Sequence, residues 1–171
     1  MIGKIAGGAF IVVATTKIGC NEANKLSRRK KQLKAIQSGI WLLKSDINFT
    51  LSTLSTALKR ASNLVDKSVC ELFLITSKYI DDGMTAYDAF TKAFNVLRSN
   101  LDLKESDYNV LYDFAKNLGC GDIDSEIKNF DKTLELLKIS ETNADENILK
   151  YSKLTKTLGV TLGILIIILI V

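Results

Sequence analysis

Not one of the 171 residues is proline. Average usage of about 5% would supply roughly eight, and each would remove an amide donor and crowd the preceding helical turn. A chain without them can carry long unbroken helices, and its apolar residues are spaced for that. Leu26, Leu33, Ile36, Ile40, Leu43 and Ile47 follow steps of 7, 3, 4, 3 and 4, the repeat of one helix face, with Trp41 and Leu42 beside it. Leu51, Leu54, Leu58, Ala61 and Val65 make a second stripe. Val69, Leu72, Phe73, Thr76 and Ile80 make a third, which Asp81-Asp82-Gly83 stops. Thr85 and Asp88 have the spacing of a capping box and open a helix that buries Ala86, Ala89, Phe90, Ala93, Phe94 and Leu97.

Asn100 to Glu105 reads as a polar loop, after which Ser106 starts a helix carrying Tyr108, Leu111, Ala115 and Leu118 and ending at Gly119. Asp122 then caps one very long helix, with a seam through Ile123, Ile127, Phe130, Leu134, Leu137, Ala144, Ile148, Tyr151, Leu154 and Leu158. Only Glu141 interrupts the seam, and the polar run from Glu141 to Asn147 predicts a stalk that leaves the core. Strand-like alternation is absent. The pattern predicts an all-α helical bundle.

The net charge of +4 hides opposed blocks. Six cations stand against Glu22 between Asn21 and Lys34, 12 cations against 18 anions between Ala35 and Leu149, and Lys150, Lys153 and Lys156 follow. An acidic body with basic ends is the wrong layout for nucleic-acid binding, which places its basic face on the fold itself. Both basic ends adjoin charge-poor stretches. Thr157 to Val171 has no charge and 11 Leu, Ile or Val residues, an insertion preference of about −3 to −7 kcal/mol. As a helix it is about 22 Å long, and snorkelling of Lys153 and Lys156 makes up the remaining bilayer thickness. A buried core helix is the other reading. Ile5 to Thr16, bracketed by Lys4 and Lys17, is a weaker apolar stretch.

A lipoprotein signal ending at Cys20 is disfavoured, because Lys17 precedes it closely and the cations Arg28, Arg29, Lys30 and Lys31 resist export. The expected layout is a hydrophobic membrane segment over 1–20, a helical-bundle domain on the cytoplasmic side over 21–152 with its last helix from about 122, and a transmembrane helix over 153–171. Arg28 to Lys31, with Lys153 and Lys156, then serve as orientation residues at the membrane surface. Gly3 with Gly7 and Gly159 with Gly163 have the small-xxx-small spacing that lets helices approach in a bilayer.

Catalytic equipment is scarce. With no His, Ser–His triads and most zinc sites are out, and no strand is present to carry a phosphate loop. Cys20, Cys70 and Cys120 fit no metal spacing. Acidic pairs such as Asp81-Asp82 read as helix stops and caps. No cofactor and no metal is expected.

The opening GKIAGGAFIVVATTKIG, the basic KLSRRKKQLK with the helix carrying Ile40 to Ile47, the segment LDLKESDYNVLYDFAKNLG from Leu101 to Gly119, and the closing LTKTLGVTLGILIIILIV together resemble the stage III sporulation protein AB family of endospore-forming bacteria. The resemblance runs through nearly the whole chain in order. It implies a platform component of the channel complex between mother cell and forespore, in the outer forespore membrane with its helical domain in the mother-cell cytoplasm. By similarity to platform proteins of type II secretion and type IV pilus systems, it implies a secretion-type ATPase and other channel membrane proteins as partners, and no catalytic residue. The surface expected to dock the ATPase is the carboxylate-rich one around Asp81, Asp82, Asp88, Asp102, Asp107 and Asp113. The alternative is a general membrane-anchored adaptor or lipoprotein unrelated to sporulation.

Overall fold

Side-chain caps punctuate an otherwise helical chain. A computed structural model describes the backbone of residues 2–50, 52–119 and 121–170, and the side chains of 21, 24–47, 52–119 and 121–151. Among the described residues six helices run in order: α1 (Ile2–Thr50), α2 (Leu54–Leu64), α3 (Lys67–Asp81), α4 (Ala86–Leu97), α5 (Glu105–Asn117) and α6 (Ile123–Ile170). Among the described residues there is no strand. Thr53, Asp66 and Thr85 cap α2, α3 and α4 by accepting from the amides of Thr56, Ser68 and Asp88, which satisfies donors that the first turn leaves orphaned. At the end of α3, Gly83 takes φ +90°, its amide donates to the Ile80 carbonyl and the Met84 amide donates to that of Tyr79. That is a Schellman motif, and it needs a residue free of Cβ strain in the left-handed region.

Arg29–Thr142 form one compact unit, and Met1–Arg28 with Asn143–Val171 form another. Within the first, α2 packs on α3, α3 on α4 and α4 on α5. Leu33, Ile36, Ile40 and Leu43 of α1 are buried with Leu58, Leu72, Phe73, Phe94, Phe114, Phe130 and Leu137. Each such side chain contributes roughly 1.5–3 kcal/mol by leaving water. The rings order the far side of the unit: Phe94 meets Tyr108 at 5.5 Å, Phe90 meets Phe114 at 6.2 Å, and Phe114 meets Phe130 at 5.1 Å. These pairs make α4 and α5 antiparallel and tie α5 to α6. In the second unit Ala144 is buried, while Leu149 and Tyr151 are exposed.

Three sequence expectations change. Helix α5 starts at Glu105, ahead of Ser106, because the Asp107 carboxylate reaches back to the Lys104 amide at 2.9 Å. The seam of α6 does not begin at Ile123, which is 65% exposed, and buries its first large side chain at Phe130. Glu141 does not open a solvent stalk: it is 8% exposed and accepts from Gln37 Nε2 at 3.1 Å and Lys138 Nζ at 2.9 Å. Burial opposes its ionisation, but these donors outweigh that and keep its carboxyl below the usual range.

Four further carboxylates are held low at helix ends and surface pairs. The Ser68 amide and Lys31 bring Asp66 down to about 2. Asp81 is lowered first by Lys59, Asp113 by Lys132 and Asp122 by Ser125. A group with a depressed folded pKa stabilises the fold above its unfolded value and loses that contribution as pH falls through the folded value. Urea midpoints should therefore be insensitive to these groups between pH 5 and 8 and decline from about pH 4 towards pH 2. Asp66→Asn should shallow that decline; an unaltered acid limb would show that the cap of α3 does not contribute.

Candidate functional site

The six carboxylates expected on one docking surface do not share one. Asp81 and Asp82 end α3 and Asp88 lies in the first turn of α4, so all three flank the turn at Gly83. Asp113 belongs at the same level, because α5 runs back along α4 and Phe114 meets Phe90 there. Asp102 lies beyond the other end of α4, whose 12 residues span about 18 Å. Several of these groups are already engaged: Asp81 accepts from Lys59 Nζ at 2.6 Å and from the Ser55 hydroxyl, Asp113 from Lys132 Nζ at 2.7 Å, and Asp88 from the Thr85 hydroxyl at 2.7 Å. Asp82 is exposed at the C-cap of α3.

Asp107 is the correction. It is fully buried, and its two oxygens accept from Nε (2.7 Å) and Nη2 (2.8 Å) of Arg29. Arg29 in turn is only 4% exposed, so it is not a headgroup-facing orientation residue. Two residues expected on different surfaces are each other's partners in the core, 78 positions apart. The bidentate guanidinium–carboxylate geometry is the one that burial of two charges demands, although Nη1 of Arg29 finds no hydrogen-bond partner among the described residues.

Gln32, one turn on, extends the clamp. Its Nε2 donates to the Asn100 carbonyl at 3.1 Å and its Oε1 accepts from the Asp102 amide at 2.8 Å. Helix α1 thereby holds the α4–α5 connection at both its carbonyl and amide groups. A signal for this was in the stripe: the seven-residue step from Leu26 to Leu33 passes over Arg29, which stands at the vacant position four before Leu33. A charge on an apolar stripe asks for a buried partner.

Of the other basic residues, Arg28 is exposed, Lys30 half-buried, and Lys31 exposed and paired with Asp66 at 3.1 Å. Lys153, Lys156, Gly3, Gly7, Gly159 and Gly163 lie outside the described side chains, as do the two apolar stretches expected to cross a bilayer. Among the described residues, no helix is long and apolar enough to cross a membrane, and no group of three His, Cys, Asp or Glu is placed to hold a metal.

Comparisons with known proteins converge on one family. The family model described as stage III sporulation protein AB matches residues 4–171. Stage III sporulation protein AB of Bacillus subtilis (strain 168) is 32% identical over 168 residues, covering 98% of each chain. A solved structure of a stage III sporulation protein AB superposes with a TM-score of 0.67 and 27% identity, over 71% of this chain and 97% of that one.

Proposed function

Because the chain belongs to the stage III sporulation protein AB family and so has a sporulation-related role, we propose that it is a non-enzymatic platform component of the channel between mother cell and forespore. In this reading its apolar ends anchor it in the outer forespore membrane, and the helical unit Arg29–Thr142 stands in the mother-cell cytoplasm. There it docks a secretion-type ATPase and the channel's other membrane proteins. The observation that carries the reading is the placement of basic residues along the sequence: Lys25, Arg28, Lys30 and Lys31 follow one charge-poor end, and Lys150, Lys153 and Lys156 precede the other, the asymmetry that retains a segment on the cytoplasmic face.

The exposed carboxylates flanking Gly83 are the candidate ATPase contact, now without Asp107. Rim charges act mainly on encounter and specificity, so reversing them should disturb docking and spare the fold. The Asp82→Lys, Asp88→Lys double variant is expected to recover several-fold less ATPase on co-purification from sporulating cells, with its helical content unchanged. Equal recovery would remove this surface from consideration. An in-frame deletion should collapse heat-resistant spore counts, with arrest after engulfment; normal counts would overturn the channel reading.

A further inference from the structure

Trp41, on α1, is 60% exposed, and Leu64, at the end of α2, is 69% exposed. Both line one open groove of about 600 Å³, together with Leu42 of α1 and Leu134 of α6. A second hollow of about 260 Å³ shares Leu42 and Leu64 and carries the apolar floor onward past Ala61. Trp is over-represented among residues that dominate binding energy, and an open apolar groove between helices can take an amphipathic helix.

The rim chooses the kind of helix. Lys34 and Lys138 border the groove with Glu141 as the one carboxylate. Glu141 already accepts from Gln37 and Lys138, and Lys34 has no ion pair among the described residues. Two cations over one satisfied anion leave the rim positive. We propose that this groove docks an amphipathic helix of a partner protein, with an apolar stripe flanked by carboxylates. The stripe covers Trp41, Leu42, Leu64 and Leu134, and the carboxylates face Lys34 and Lys138. This surface is formed by α1, α2 and α6, and the proposal stands apart from the ATPase contact at the α3–α4 turn.

Trp41 is the chain's only tryptophan, so its fluorescence reports on the groove alone. The full-length chain, held in phosphatidylcholine nanodiscs, is titrated with two synthetic helical peptides that share one leucine stripe, flanked by Glu in the first and by Lys in the second. The expected result is a blue shift of Trp41 emission with the Glu peptide, at a Kd about ten-fold lower than for the Lys peptide. Lys34→Glu, at an exposed site, should narrow that preference about three-fold or more without altering the helical spectrum. No shift with the Glu peptide, or equal affinity for both peptides, overturns the proposal. So does emission that shifts with phosphatidylglycerol content before any peptide is added, which would assign the groove to a lipid surface. Peptide-free emission that depends on protein concentration, together with dimers lost in Trp41→Ala, would assign it to a second copy and overturn it equally.

Discussion

Asp107→Asn should destabilise the chain by about 3–5 kcal/mol, the cost of leaving a buried guanidinium without its counter-charge. The substitution is chosen to isolate that effect. Asn matches Asp in shape and can still accept from the Lys104 amide, which the native carboxylate does at 2.9 Å. What it removes is the negative charge opposite Arg29, itself 4% exposed, together with the acceptor of Nη2, since the amide nitrogen takes the place of Oδ1. Arg29→Met should cost a similar amount, since it strands the carboxylate instead. The double variant Arg29→Met, Asp107→Leu should recover much of the loss, because a well-packed apolar pair avoids both desolvation penalties. Denaturant titration of the full-length variants gives the three values. A single-variant loss below about 1 kcal/mol would mean that water reaches the pair. Lys31→Met supplies the contrast: its pair with Asp66 is 64% and 38% exposed, and pairs of that kind contribute about 0–1 kcal/mol.

Gly39→Ala should also destabilise, although the same change at an exposed helix position adds about 1 kcal/mol of stability. The ring of Phe73, 1% exposed in α3, lies across Gly39 of α1. A Cβ at Gly39 would run into Cζ of that ring, with Cε2 at 2.6 Å and Cε1 at 2.9 Å. A buried ring has nowhere to retreat without parting α1 from α3, and overpacking of this kind costs about 1–3 kcal/mol or more. The expected net loss is about 2 kcal/mol, read as a lower thermal midpoint. Gly39→Ala combined with Phe73→Leu should lose less than the sum of the single changes, by about 1 kcal/mol or more. A raised midpoint for Gly39→Ala alone would show that the ring turns aside freely.

Both predictions rest on contacts that residue spacing cannot reveal. The 3.6-residue repeat and the turn chemistry made the helices legible: the stop at Gly83 and the cap at Thr85 stand where the spacing predicts them. Periodicity reports which face of a helix is apolar, and so it found Leu33, Ile36, Ile40 and Leu43. It is blind to which face meets which. Arg29 and Asp107 therefore looked like surface charges, one in a basic run and one in an acidic stretch, until the packing of α5 against α1 brought them together. Glu141 looked like the start of a stalk for the same reason.

The amino-acid sequence by itself determined the helical class, the order of the helices and some of their ends, and the contrast between acidic body and basic, apolar ends. These follow from local rules of backbone geometry and from the composition of each segment. The tertiary structure alone decided which charges are buried, where a glycine must stay bare, and that Trp41 and Leu64 share one groove. Those depend on residues far apart in the chain, whose meeting is set by helix packing and not by any pattern within a single helix.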